Sequence, residues 1–159
     1  MESFLAFRVP IGTKEPNIRP RLEKIKGDKF LLDIAFSNLI GNSIKYGIDG
    51  GSIEATINSD SSNLIIEVCD NGVGIPESEL PKIFKDFYRA ANVKKIIAEG
   101  SGLGLSVVKR IVERHGGTIK AKSPSRMATK NHPGTCITIL LPFQRKEKDE
   151  AREKFKAIN

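Results

Sequence analysis

The chain of 159 residues has no tryptophan, two cysteines, two methionines and two histidines, and aromatics make up only 6% of it. It also lacks any apolar run approaching 18 residues, so no membrane-spanning helix is read. No secretory leader pattern opens it, and the expected compartment is cytoplasmic, with no membrane contact by this domain. Any membrane attachment would belong to another part of the protein. Two isolated cysteines exclude a disulfide-dense scaffold; Cys69 and Cys136, each inside an apolar run, are expected to be reduced core residues. Few aromatics and scattered lysines argue against a basic nucleic-acid-binding domain, which would show a basic stripe with interleaved rings. No nucleic-acid partner is expected.

What is present describes an ordinary globule: 39% apolar and 28% charged residues, with a formal charge of +7. That length and composition suit one domain with a proper core. The charge suits an anionic partner without choosing one.

Residues 28 to 46 predict a helix, with Asp28 as N-cap and Gly47 as a left-handed stop. Its expected apolar side is Leu32, Phe36, Leu39, Ile40 and Ile44. Asn38, Asn42 and Lys45 form a polar stripe on the other side. Such a stripe either faces solvent or serves an anion, Asn offering oxygen to a hard cation and Lys charge to phosphate. Residues 3 to 9 read as a strand, and Arg21 to Lys26 as a short one leading into the helix. Ser52 to Asn58 and Asn63 to Cys69 read as a hairpin, whose alternation carries Leu64, Ile66, Val68 and then Asp70 onto one face. Asn71 to Ser101 is irregular, with helical turns around Ser78 to Phe87; so long a loop is usually functional or mobile. Gly102 to His115 is a second helix with Leu105, Val108, Ile111 and Val112 on its apolar face, ended by Gly116-Gly117. Thr118 to Lys122 and Thr135 to Pro142 are the last strands, and a highly charged tail follows from Gln144. The element order fits an α+β sandwich with helices on one face of a mixed sheet.

Three further stretches carry chemistry. Asp70-Asn71-Gly72-Val73-Gly74-Ile75 is good turn sequence, but an inward carboxylate needs a hydrogen-bond donor, and an adenine amino group is one. Gly100-Ser101-Gly102-Leu103-Gly104-Leu105 opens a helix, where free amides and the helix dipole suit phosphate; close packing is the plainer use of such glycines. It is neither a dinucleotide fingerprint, since Leu105 stands at the third glycine, nor a P-loop. Phe84 and Phe87 read either as two buried rings on a helix or as anchors of a lid.

Together and in this order, these stretches resemble the catalytic, ATP-binding domain of sensor histidine kinases, in the wider group sharing the Bergerat fold. Asn38 to Tyr46 resembles the N box, Asp70 to Ile75 the G1 box, Phe84 to Arg89 the F box and Gly100 to Leu105 the G2 box. The match runs from about residue 22 to residue 143. It leaves residues 1–21 as an extension that could add a strand, and residues 144–159 as a tail. The resemblance implies a two-layer α/β sandwich with a mixed, mainly antiparallel sheet and a long ATP lid at residues 76–101. It implies that Asn42 binds Mg²⁺ with Asn38 assisting, that Lys45 contacts phosphate, and that Tyr46 packs on adenine. Asp70 would accept from the adenine amino group, with a water-linked contribution from Thr135. Gly102, Leu103 and Gly104 would hold the phosphates, and Arg89 would reach phosphate or the partner domain. Gly72, Gly74, Ile75, Phe87, Ser101 and Leu105 complete the implied nucleotide set.

The hydrolysing members of the wider group, such as the DNA gyrase B subunit, carry a glutamate where this chain has Asn38. An amide cannot act as a general base, so slow hydrolysis is expected. The phospho-accepting histidine is also missing: His115 reads as a helix-end packing residue and His132 as a loop residue. The implied function is Mg-ATP binding and transfer of the γ-phosphate to a histidine on the kinase's separate dimerisation and histidine phosphotransfer domain, with a response regulator downstream. The alternative is a nucleotide-binding or signalling module of the same fold without catalysis.

Overall fold

Alternation with period two builds the sheet. In the computed structural model, which describes residues 5–10, 25, 27–97 and 99–143, five strands pair in the order β1-β2-β3-β5-β4. They are β1 (Leu5–Pro10), β2 (Ser52–Ser59), β3 (Asn63–Asp70), β4 (Thr118–Lys122) and β5 (Cys136–Pro142). All four pairings are antiparallel, so the parallel component of a mixed sheet is absent among the described residues. The hairpin β2–β3 is as expected, and its turn is fixed by Asp60, whose carboxylate accepts from the amides of Ser62 and Asn63 at 2.7 Å each. The expected strand from Arg21 to Lys26 and the charged tail fall outside the described residues, except for Ile25, which belongs to no strand.

Register stacks apolar residues in rows across one face. Ile57, Ile66, Ile139 and Ile119 form one row, and Ala55, Val68, Ile137 and Ala121 the next. Asp70 lies one step further along β3, opposite Ile53, so the row that ends the core begins the polar site. A slip of one residue would put every one of these side chains on the other face.

Two helices cover that face. α1 (Lys29–Lys45) and α3 (Gly104–Arg114) pack together through Ala35 and Leu39 of one and Val108, Ile111 and Val112 of the other, all buried. Asp28 caps α1 by accepting from the Leu31 amide at 3.2 Å. Two expectations about α1 fail. Ile44 is 52% exposed, because the buried face runs through Ala35, Leu39 and Ser43. Gly47 is not left-handed; the helix ends at Tyr46, whose amide donates to the Asn42 carbonyl.

His115 ends α3 and joins the two helices. Its Nε2 accepts from the Asp28 amide at 2.9 Å, and its Nδ1 lies 2.7 Å from the Ile111 carbonyl. That is the packing role expected of it. His132 lies in the 123–134 loop, in a turn with Thr129.

The cysteines correct a third expectation. Cys69 and Cys136 are directly opposite across β3 and β5 and form a disulfide. They lie on the face away from the helices, beside Arg126, whose guanidinium contacts Glu54, Glu67 and the Cys69 sulfur. No helix among the described residues is long and apolar enough to cross a membrane.

Candidate nucleotide site

A cavity of about 290 Å³ opens where β3 and β5 pass under α1 and the start of α3, with residues of the 76–101 segment as its outer wall. Its volume sits at the lower end of the range for small-molecule sites.

Asp70 forms its polar floor. The residue is 7% exposed, and burial raises its carboxyl pKa above the usual value, against the lowering effect of its hydrogen bonds. Oδ1 accepts from the Gly72 amide at 2.9 Å and the Thr135 amide at 3.1 Å, and Oδ2 accepts from Ser43 Oγ at 3.3 Å. Two amides saturate one oxygen, so Oδ2 keeps acceptor capacity. Nearby backbone is pinned from outside the sheet: Ser125 Oγ donates to the Asp70 carbonyl and the Gly134 amide to the Gly72 carbonyl. Ser123 Oγ accepts from the Ile75 amide and donates to the Gly134 carbonyl. Gly72 must lack a side chain, because a β-carbon there would stand 2.3 Å from the Tyr46 carbonyl oxygen.

The other end of the cavity is built by α1 and the start of α3. Asn38 Nδ2 donates to the Ile34 carbonyl at 2.9 Å, which directs its oxygen away from its own helix. A β-carbon on Gly104 would be 3.1 Å from that oxygen and 3.5 Å from Asn42 Nδ2. The missing side chain thus keeps the asparagines and the α3 N-terminus apart. α3 has no side-chain cap, and its first amides are available to an anion. Gly102 approaches Phe87 closely with φ +72, a conformation and a clearance that only glycine meets. Lys45 Nζ donates to the Glu99 carbonyl at 2.7 Å and lies 5.7 Å from the Tyr46 ring centroid. Amide oxygens from Asn38 and Asn42 suit a hard cation such as Mg²⁺, and Lys45 with the α3 amides suits phosphate.

Most of the expected site residues line this one cavity: Asn38, Asn42, Lys45 and Tyr46 from α1, Asp70, Gly74 and Ile75 beyond β3, Arg89, then Ser101, Gly102, Gly104, Leu105 and Thr135. Three do not. Gly72 works behind Asp70. Leu103 turns its backbone into the helix start, its amide donating to Ser101 Oγ and its carbonyl accepting from Ser106 Oγ. Phe87 has φ 59 and is 73% exposed; its ring is neither buried nor in the cavity. Phe84 alone of the two rings packs on the core. Thr135 contributes its backbone amide to Asp70.

Sequence reasoning missed Ser43, Ile83, Tyr88, Ala90 and Val93, all lining the cavity. Ser43 had a signal. It lies four residues after Leu39, on the buried face, and a buried hydroxyl requires a partner. Tyr88, Ala90 and Val93 depend on a short helix, α2 (Ala91–Ile96), that no periodicity announced. Before it, residues Glu77–Lys82 form a 3-10 turn, where helical turns were expected.

Comparison with known proteins identifies the family. The family model described as "Histidine kinase-, DNA gyrase B-, and HSP90-like ATPase" matches residues 27–145. Sensor histidine kinase WalK of Bacillus subtilis is 33% identical over 136 residues, covering 84% of this chain and 21% of WalK. Signal transduction histidine-protein kinase AfsQ2 of Streptomyces coelicolor is 41% identical over 111 residues, 70% of this chain and 19% of AfsQ2. The chain therefore spans about a fifth of the length of these two relatives. A solved structure of the mycobacterial sensor histidine kinase MprB superposes with a TM-score of 0.69 at 32% identity, covering 77% of this chain and 78% of that one. The chain belongs to the histidine kinase, DNA gyrase B and HSP90-like ATPase family, within which its relatives are sensor histidine kinases.

Proposed function

We propose that this chain is the Mg-ATP-binding catalytic domain of a sensor histidine kinase, presenting the γ-phosphate to a histidine on a separate dimerisation and phosphotransfer domain. A response regulator would act downstream, and the site would work in the cytoplasm. The working unit would be residues 22–143, with residues 1–21 as an extension and residues 144–159 as an appended tail.

One observation carries this reading: a buried carboxylate with one oxygen still able to accept and a cation-and-amide cluster occupy opposite ends of one cavity. Asp70 accepts from the exocyclic amine of adenine while Tyr46 and Ile75 flank the base. Lys45 exchanges the Glu99 carbonyl for a phosphate oxygen, and the amides at Gly102 and Gly104 take up further phosphate charge. Asn42 and Asn38 would hold Mg²⁺, which when bound neutralises phosphate charge. Arg89, which donates to the Ile97 carbonyl, would meet phosphate or the partner domain. Phosphoryl transfer then needs mainly positioning and charge neutralisation. Among the described residues the only carboxylate lining the cavity is Asp70, at the base end, and none stands at the phosphate end to activate water. Hydrolysis without a histidine partner is expected to be slow, well below about one turnover per second.

Calorimetric titration with Mg-ATP tests the reading, alongside Asn42→Ala, followed by transfer of labelled phosphate to an added histidine-bearing domain. Micromolar affinity, about 8 kcal/mol, lost in the variant and accompanied by labelling, is the expected outcome. Binding without labelling would favour a signalling module that retains the fold. No binding by a folded chain would overturn the reading.

A further inference from the structure

Glu79 sits in the 3-10 turn that opens the lid, and its carboxylate reaches two later parts of the same segment. Oε2 accepts from the Tyr88 hydroxyl at 3.0 Å and from the Ala91 amide at 2.9 Å. The second contact matters because Ala90, the residue before α2, has no side chain that can cap the helix. A carboxylate supplied from twelve residues upstream serves instead, and its charge favours the helix N-terminus. Tyr88 lines the cavity, as do Ala90 and Val93, which are 6% and 7% exposed. The first turn of α2 is also tied down by Asn92 Nδ2, which donates to the Gly74 carbonyl at 2.9 Å. Burial, then the hydrogen bond and charge of Glu79, raise the Tyr88 pKa, so the phenol stays a donor at neutral pH.

From this geometry we propose that Glu79 is a positioning residue of the nucleotide site, stapling the 3-10 turn, Tyr88 and α2 into one wall that retains the bound base. It touches neither base nor phosphate and acts through Tyr88 and the α2 backbone. The proposal rests on the ATP-binding reading above, but the staple itself exists without nucleotide and is tested without it.

The experiment uses the full chain with Glu79→Ala, Glu79→Gln, Tyr88→Phe and the Glu79→Ala/Tyr88→Phe pair. Mg-ATP affinity is measured by calorimetry, and amide hydrogen exchange at Ala91 to Val93 is followed in the free protein. Glu79→Ala is expected to weaken ATP about tenfold and to lose protection at α2. Glu79→Gln keeps an acceptor oxygen and should stay within about threefold of the wild type. Tyr88→Phe should fall between them, and the double variant should be no worse than Glu79→Ala, since Tyr88→Phe removes one of the two contacts that Glu79→Ala already removes. Wild-type exchange at α2 in Glu79→Ala would overturn the staple. So would a glutamine variant as impaired as alanine, or additive losses in the pair. If Glu79→Ala fails to fold, the glutamine and phenylalanine variants still carry the comparison. A wild-type chain that binds no ATP would instead overturn the reading of the site, leaving the exchange data to judge Glu79.

Discussion

The two walls of the cavity are held by different means. The inner wall, made of α1, β3, β5 and the loop at residues 123–134, is held at many points. Asp70 alone receives three hydrogen bonds on its carboxylate and one on its carbonyl, and the core rows of the sheet lie directly beneath it. The outer wall, the lid, packs Leu80, Ile83, Phe84 and Tyr88 on the core, but its polar ties are single contacts: Glu79 to Tyr88 and Ala91, Asn92 to Gly74, Arg89 to Ile97, Asp86 to Arg110, and Lys45 to Glu99. Recognition placed on the first wall is pre-organised and cannot relax when altered. Closure placed on the second is adjustable, as a segment that must admit and release a ligand requires. Changes to the inner wall should therefore be severe, and changes to the lid graded.

The largest effect on stability should come from the disulfide that clamps β3 to β5 behind the inner wall. The Cys69→Ser/Cys136→Ser variant frees a loop with a sequence separation of 67, and its unfolding free energy should fall by about 2–4 kcal/mol in denaturant titrations. Below its unfolding midpoint it should still bind ATP.

Asp70→Asn separates binding from stability on the same wall. Losing the charged acceptor should weaken ATP roughly 10- to 100-fold, because the amide would present a donor to a donor. The raised pKa of Asp70 gives the opposite sign for folding. A carboxyl that protonates more readily when folded costs stability once ionised. That cost is absent below the unfolded pKa, grows as pH rises through the folded one, and is complete above it. Asp70→Asn should accordingly melt higher than the parent at neutral pH, with the gap closing as pH falls towards 4. A variant that melts lower at neutral pH would contradict the assignment of burial as the dominant cause.

Lys45 spans the two walls, rooted in α1 and donating to a lid carbonyl. Lys45→Ala should weaken ATP about tenfold and, without nucleotide, speed amide exchange around residues 99–102. Were the lid unaffected, the wall-to-wall contact would carry no weight.

The smallest effect is expected at the exposed Arg110–Asp86 ion pair, which joins α3 to the lid away from the cavity. Arg110→Ala should leave melting temperature and ATP affinity at wild-type values in a thermal shift assay with and without ATP.

The same division explains what could be read from the residues. Asp70 was legible because a period of two carried it onto the face of Leu64, Ile66 and Val68. Asn38, Asn42 and Lys45 were legible because a period near 3.6 aligned them. Both are local regularities of the inner wall. The disulfide was not legible, since it depends on the register of β3 against β5, two strands far apart in sequence whose alignment follows from the whole core. Ile44 fooled the helical wheel because the wall of the cavity turns the buried face of α1 towards Ser43. The α2 helix escaped notice for a further reason: its six residues have no apolar period, and its cap is a carboxylate from an earlier turn. Phe87 read as either a core ring or a lid anchor, yet its positive φ turns the side chain to solvent while its backbone meets Gly102.

The most direct test of the account compares Mg-ATP with Mg-inosine triphosphate in calorimetric titrations of the unaltered chain. The two nucleotides share phosphates and ribose, but inosine carries an oxygen where adenine has the amine that would donate to Asp70. The account predicts that ATP binds in the micromolar range and inosine triphosphate roughly 10- to 100-fold more weakly. Equal affinities would mean that Asp70 does not read the base, and the central assignment would fail.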